Sequence, residues 1–421
     1  MKWRSWLILL ICLSWIIGLL GATNAELVGD WNDVALQAVK TNSDFLVPAA
    51  HHMAIVSVAV YDAINCVEGQ CQPYRVAKKA PPDTSAEAAA ATAAYYTLSW
   101  LYPEQQASFD VELEESLAGI SDGTAKDNGI DFGKYVAGEI IAWRAGDHST
   151  DIVGYNLING MGYWQPTPPS YTMPPFYPNW PLVTPFVLRS SSQCRPPAPP
   201  PMNSYRYGRD FNEVKLLGAK NSTLRTPYQT DTAFFWGEGN DTITTIGRWD
   251  LIARQVAERY NYSSMELARL LALVNVSQAD GGLAAWDCKY AYNFWRPITG
   301  MKFAAQDGNA KTNADANWEP LLNTPPFPEY ISGHATFSGA AATILAYEFG
   351  NRNSFTVDSF YGELPPRSYT SFWQAASECA ASRVYGGVHY KFSDDLGLAT
   401  GREIGRYAWT HYMRPLPPRR R

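Results

Sequence analysis

Three short blocks between Ala279 and Tyr390 carry Lys289, Arg296, Arg383 and two histidines around a Ser332-Gly333-His334 turn, at spacings that suit one oxyanion. A fold that brings them together has to close over about a hundred residues of chain, so these blocks constrain the architecture more than composition does. In the first, Trp286 to Pro297, an apolar pattern of Leu267, Leu270, Leu271 and Val274 leads in at helical spacing. This predicts a helix running toward Arg296, interrupted near Ala279-Asp-Gly-Gly282. Lys289 and Arg296 then stand two turns apart on one face, with Trp286 one turn before the lysine. Pro297 disfavours a helical Arg296, so the helix should end there with the guanidinium turned inward.

The second block runs from Pro325 to His334 and continues into a stretch of small residues. Its prolines hold the approach extended, and Ser332 suits the N-cap of a helix starting near His334. Such a start offers unpaired N–H groups, and Gly333 leaves an anion room to approach. In the third block, Ser382 to Asp395, the pair Gly386-Gly387 should break the chain between two helices. Arg383 would end one helix and His389 would open the next. Taken singly, each block also fits an ordinary amphipathic or capped helix.

Taken in order, the three blocks resemble the vanadium-dependent haloperoxidases and the related type 2 phosphatidic acid phosphatases. That pattern is a lysine followed seven residues on by Arg-Pro, then Pro-Ser-Gly-His, then Ser-Arg with a histidine six residues after the arginine. Here it reads Lys289 to Arg296-Pro297, Ile331-Ser332-Gly333-His334, and Ser382-Arg383 to His389. The stretch from Ala50 to Asn65 also looks like secreted bacterial relatives. Two positions depart from the pattern: Ile331 stands where proline is usual, and Ser393 stands where an acidic residue usually follows the second histidine. In the phosphatases that carboxylate orients the nucleophilic histidine, so Ser393 weighs against phosphatase chemistry.

The resemblance implies an all-α fold of two packed four-helix bundles, with the anion site in the C-terminal bundle and vanadate as cofactor. It implies His389 as the ligand to vanadium, and Lys289, Arg296, Ser332, Gly333 and Arg383 as the groups that hold the vanadate oxygens. His334 would be the acid–base group, and Trp286 and Phe327 would line a halide side. The substrates would be hydrogen peroxide and halide. The alternative is an acid phosphatase acting on a phosphate ester, with His389 as nucleophile. Phosphate and vanadate share charge and shape, so the motifs alone leave both open.

The rest of the chain reads as scaffold. Residues 1–25 combine Lys2 and Arg4, an uncharged apolar run from Trp6 to Leu20 and small residues before Glu26, the pattern of a signal peptide and hence of a secreted or periplasmic protein. No later segment reads as a membrane span. A first bundle is expected over about 26–150, with a stripe of Met53, Val56, Val60 and Ile64 and an alanine-rich helix from Ala86 to Tyr102. His51 and His52 lack a surrounding motif and read as structural. Residues 151–205 form a connector, dense in proline and aromatics from Trp164 to Met202, which excludes a helix or central strand there and suits a strap on its own core. The second bundle is expected over about 206–413.

The chain holds 34 basic and 40 acidic residues, so its charge implies no nucleic-acid surface. Outside the leader five cysteines remain, an odd number, of which Cys66 and Cys71 are nearest in sequence. The basic C-terminus, Arg414 to Arg421, reads as a disordered tail. Asn221, Asn240, Asn261 and Asn275 stand in glycosylation triplets, which carry meaning only in a eukaryotic secretory route.

Overall fold

The longest helix organises the molecule. This helix, α9 (Ser264–Tyr292), opens on a capping box in which the Ser263 hydroxyl accepts from the Glu266 N–H and Glu266 reaches back to Ser263. It ends where Asn293 turns left-handed at φ 50°. The sequence suggests a break at Ala279-Asp-Gly-Gly282, and the helix runs straight through it. Each glycine costs about 1 kcal/mol relative to alanine, and close packing outweighs this. A Cβ on Gly282 would lie 3.0 Å from Phe337 and 3.2 Å from Val47, so two neighbouring helices approach α9 across the bare backbone.

The computed structural model describes residues 24–417 except Glu238, Asn240, Tyr361 and Gly362. The leader expected over 1–25 therefore lies outside the described residues but for its last two. On one side of α9 pack α1 (Asn24–Thr41) and α2 (Leu46–Glu68), with α3 (Ala86–Leu101), α4 (Gln106–Ala118) and α5 (Thr124–Arg144) beyond. After the connector come α6 (Tyr205–Leu217), α7 (Pro227–Phe235) and α8 (Thr244–Arg259). Following α9 are α10 (Pro297–Phe303), α11 (Gly333–Phe349), α12 (Phe372–Tyr385) and α13 (Lys391–His411). Helices α9, α11, α12 and α13 surround the C-terminal core. The fold is thus the expected all-α one, with one addition: a short antiparallel hairpin of β1 (Phe355–Val357) and β2 (Arg367–Tyr369).

The start of α13 is locked to the start of α11 by a seam of glycines. Gly397, Gly401 and Gly405 follow one another at four-residue spacing on α13, so they share one face. A Cβ on Gly401 would fall 2.2 Å from the Thr336 carbonyl oxygen, and one on Gly405 2.7 Å from that of Ala340. From the other side, a Cβ on Gly339 would meet the Leu398 backbone at 2.6 Å. The two backbones touch directly.

Residues 151–204 wrap the core as a strap with no helix longer than a 3-10 turn at Trp180–Leu182. Asp280, in the stretch expected to break α9, anchors it: its buried carboxylate accepts from the backbone N–H groups of Phe186, Val187 and Leu188, each at 2.7 Å. Burial pushes its pKa up to about 6 against those three donors. Asp280→Asn would turn one acceptor into a donor facing N–H groups, at a cost of about 1–2 kcal/mol. The thermal midpoint should fall by a few degrees, and limited proteolysis should begin cutting near Phe186–Leu188. Unchanged protease resistance would count against this anchor.

Several smaller expectations change. Helix α2 is long and apolar enough to cross a membrane, which the sequence reading denied to any later segment, but 89% of its apolar window is buried inside the protein. The described cysteines Cys66, Cys71, Cys194, Cys288 and Cys379 are all buried and form no disulfide with one another, and Cys66 donates to the Val76 carbonyl rather than bonding to Cys71. Asn275 is buried and bonded to Ser57 and Asp250, which leaves no room for a glycan. The C-terminal segment is anchored at Arg414 to Leu416, which pairs with Gln70 to Gln72; residues 418–421 lie outside the described part.

Candidate active site

The three blocks meet at the N-terminal ends of α11 and α13. Lys289 projects from the last turns of α9, fully buried, and its ammonium donates to the carbonyls of Glu329 (3.0 Å) and Ile331 (2.6 Å). The loop before Ser332 is thereby tied to α9, while burial and then Arg296 push the lysine's pKa well below the usual amine range. The sequence reading put Arg296 on the same helix. Instead α9 stops at Tyr292 and Arg296 is the extended residue before Pro297, the N-cap of α10. Its guanidinium is turned inward all the same. It donates from Nε to the Phe327 carbonyl (2.9 Å) and from Nη1 to that of Val388 (2.8 Å) and to His389 Nε2 (3.2 Å).

Ser332 is the N-cap of α11, as expected, though its hydroxyl makes no capping bond. The hydroxyl stands toward the Asp394 carboxyl without completing a hydrogen bond. Gly333 and His334 form the first turn of α11, and a Cβ on Gly333 would press on the Trp286 ring at 3.3 Å. Arg383 lies in the last turn of α12, and the chain reverses through Gly386 and Gly387 to deliver His389 two residues before α13. Gly387 takes φ 77° with the Gly218 carbonyl 2.4 Å from where a Cβ would sit, so only glycine fits this turn.

The tautomer of His389 follows from its partners. A guanidinium can only donate, so Nε2, facing Arg296, carries the lone pair. Nδ1 carries the proton and donates to Glu329 Oε1 at 2.7 Å, an oxygen that also accepts from the Tyr390 N–H at 3.0 Å. Burial, then the nearby Arg296, Lys289 and Arg383, holds the His389 pKa well below the usual imidazole range. The ring is neutral and presents an unprotonated nitrogen to the cations. His334 is held neutral in the same way, by burial and then Arg383, Lys289 and Arg296.

Glu329 is the functional residue that sequence reasoning missed. It is fully buried, and burial lifts its pKa to about 7 although Arg296 and Lys289 oppose the rise. The departure at Ser393 therefore does not leave His389 without an orienting carboxylate, because Glu329 reaches it from the loop before α11. Ser393 faces that same carboxyl. Asp394 is buried beside Ser332 and is pushed well above the ordinary carboxylate range, chiefly by burial. The signal was present in the sequence: Glu329 is the only acid between Pro325 and His334.

The donor set fits a tetrahedral oxyanion. Arg296 Nη2, Ser332 Oγ and His334 Nε2 are buried with no hydrogen-bond partner, and such atoms cost about 1–3 kcal/mol each when left unsatisfied. Of the site residues, Gly333, His334, Arg383 and His389 line a cavity of about 940 Å³. Among the described residues no cluster of His, Cys, Asp or Glu could hold a bare metal cation. An anion that offers several oxygens and accepts one nitrogen lone pair suits the set, and vanadate has that chemistry.

Trp286 and Phe327 pack against each other at 5.0 Å and form an apolar wall of the cavity. Lys289 Nζ lies 5.2 Å and Arg296 Cζ 4.7 Å from the Phe327 ring centre. A contribution not foreseen comes from the N-terminal half: Phe45, the N-cap of α2, meets Trp286 and Phe327 edge-on at 6.3 and 5.7 Å. His51 and His52 lie elsewhere, bonded to Asp147 at 2.6 Å and to Asp44 at 2.8 Å.

Comparison with known proteins agrees with this geometry. The family model described as the VCPO second helical-bundle domain matches residues 269–417, the segment that holds all three blocks. Vanadium chloroperoxidase of Curvularia inaequalis is 29% identical over 244 residues, 44% of this chain. The chain spans only 39% of that curated relative's length. The crystal structure of the first bacterial vanadium-dependent iodoperoxidase superposes with a TM-score of 0.80 at 27% identity, covering 93% of this chain and 98% of that one. A bacterial vanadium-dependent chloroperoxidase in its holo form shares the fold, with a TM-score of 0.69 at 16% identity over 86% of this chain and 91% of that one. The fold and the C-terminal bundle are those of the vanadium haloperoxidase superfamily.

Proposed function

We propose that this chain is a vanadate-dependent haloperoxidase that oxidises halide with hydrogen peroxide to hypohalous acid. The observation that carries the reading is the neutral His389, its Nε2 lone pair set among Lys289, Arg296 and Arg383 and its Nδ1–H donating to Glu329. His389 Nε2 would bond vanadium, while Lys289, Arg296, Arg383, the Ser332 hydroxyl and the Gly333 N–H would hold the oxygens. Bound vanadate would supply the electrophilic centre at which peroxide becomes reactive toward halide. The chain's own groups do the rest. Lys289, Arg296 and Arg383 would offset the anion's charge. His334, neutral and unpartnered at Nε2, accepts a proton from incoming peroxide. Trp286 and Phe327 strip water from the halide.

A second reading gains from one observation. With Glu329 orienting it, His389 is also arranged as a nucleophile toward phosphorus, and His334 could then protonate a departing alcohol. Two assays separate the readings: peroxide-dependent bromination by vanadate-loaded protein at mildly acidic pH, and p-nitrophenyl phosphate hydrolysis by the vanadate-free protein. Bromination with weak hydrolysis is expected. Vigorous hydrolysis without bromination would overturn the assignment.

The division into a first bundle over about 26–150, a connector and a catalytic bundle over about 206–413 belongs to the same proposal, as does export. Cleavage after Ala25 would leave Glu26 in the first turn of α1, where an acid favours the helix N-terminus. Mass spectrometry should find the mature protein beginning near Glu26 in the extracytoplasmic fraction; an intact Met1 there would contradict it.

A further inference from the structure

His334 is gripped by a part of the chain that none of the three blocks contains. Its ring donates to the main-chain carbonyl of Trp236, the C-cap residue of α7. Its Nε2 has no hydrogen-bond partner, so the donor is Nδ1. A carbonyl can only accept, which puts the proton of the neutral ring on Nδ1 and leaves the lone pair on Nε2. The other tautomer would set the Nδ1 lone pair against the carbonyl oxygen.

The residue that supplies this carbonyl is itself held from two sides. Trp236 is fully buried, and its indole stacks on that of Trp249 at 6.4 Å and 29°. Trp249 Nε1 donates in turn to Ser338 at 3.0 Å, one turn after His334 on α11. Trp236 Nε1 donates to Glu378 Oε1 at 3.1 Å. Glu378, half-buried on α12, also accepts from Tyr228 at the start of α7, and from Tyr369 (2.7 Å) and Arg367 (2.8 Å) of β2. Burial works against its charge, but Tyr228, Tyr369, Arg367 and Trp236 together hold its pKa below the usual carboxylate range. One carboxylate thus ties both ends of α7 and the hairpin to the helix that carries Arg383.

We infer that Trp236 and Glu378 are positioning residues for His334: Glu378 fixes the indole, and the residue so fixed presents the carbonyl that selects the tautomer with a free Nε2 lone pair. This role deepens the haloperoxidase reading, in which that lone pair takes the proton of peroxide, but the selection itself needs no vanadate. Trp236→Phe keeps an aromatic ring for the stack and removes the one N–H that reaches Glu378. The end of α7 then loses its clamp, and both tautomers of His334 become populated.

The test labels the six histidines with 15N in the vanadate-free protein, where ring-nitrogen shifts separate protonated from unprotonated nitrogens and His334→Gln identifies the signals. Wild-type His334 should be protonated at Nδ1 and not at Nε2. In Trp236→Phe the two shifts should move toward each other. In the vanadate-loaded variant kcat/KM for peroxide should fall about tenfold, the size of one hydrogen bond's net worth, with vanadate affinity within about twofold of the wild type. A wild-type His334 protonated at Nε2 would overturn the positioning role, as would a Trp236→Phe protein with wild-type shifts. A loss of vanadate affinity that matched the loss of activity would reduce Trp236 to scaffold and overturn it too. A wild type that oxidises no halide would overturn the haloperoxidase reading alone, because the ring shifts still decide the positioning.

Discussion

Replacing His389 with alanine should lower halide oxidation by about a thousandfold or more, roughly 4 kcal/mol in the barrier, while phosphate still binds within about tenfold of the wild type. The two ligands separate because they use the site differently. On the proposed reading phosphate would be held by charge and hydrogen bonds from Lys289, Arg296, Arg383 and the N-terminus of α11, none of which the substitution removes. Vanadate would also use the Nε2 lone pair, the one neutral nitrogen that Arg296 marks as unprotonated. Competition between vanadate and phosphate should therefore favour vanadate in the wild type and approach parity in the variant, with circular dichroism confirming the fold. A His389→Ala protein that still oxidised bromide at the wild-type rate would remove the ligand assignment.

The second large effect belongs to Glu329. Its Oε1 accepts hydrogen bonds from His389 Nδ1–H and the Tyr390 N–H together, so Glu329→Gln keeps the shape and loses the charge. Carboxylates behind ligating histidines contribute about 10–100-fold to metal affinity or activity, and a loss of that size is expected for vanadate. A merely structural role would not move the pH profile, and this one should. With its pKa at about 7, Glu329 is mostly ionised above that pH and protonated below it. An ionised acceptor holds the Nδ1 proton more strongly. This group's contribution to vanadate affinity is therefore present above about pH 7 and lost as pH falls through it. The wild-type profile should show that inflection and the glutamine variant should lack it; an unchanged profile would assign Glu329 to packing alone. Ser393→Asp, which would place an acid at the position that departs from the family pattern, should not improve the orientation of His389, because it would crowd a second carboxyl against Glu329.

How much was legible depended on the range of the signal. The N-cap at Ser332, the turn at Gly386-Gly387 and the inward Arg296 were readable because each is written in two or three adjacent residues. The continuity of α9 was not, since local propensity at Gly281 and Gly282 points to a break and only residues distant in sequence, Phe337 and Val47, reverse it. Glu329 was hidden for a related reason. It serves His389 from a loop sixty residues earlier, and a contact between two loops leaves no periodicity. Phe45 was hidden more deeply, being an N-cap residue of the N-terminal half whose ring reaches the cavity of the other.

The glycine seam between α11 and α13 bears on how such a site can change. With bare backbone meeting bare backbone at Gly401 and Thr336, no layer of side chains lies between the helices to repack when one of them shifts. His334 and His389 are therefore mounted on what amounts to a single rigid part, whose internal spacing cannot drift by small steps. Variation in what the protein acts upon has to enter through the rim, at positions such as Phe234 and Phe360, where an altered side chain reshapes the entrance without disturbing the machinery beneath it.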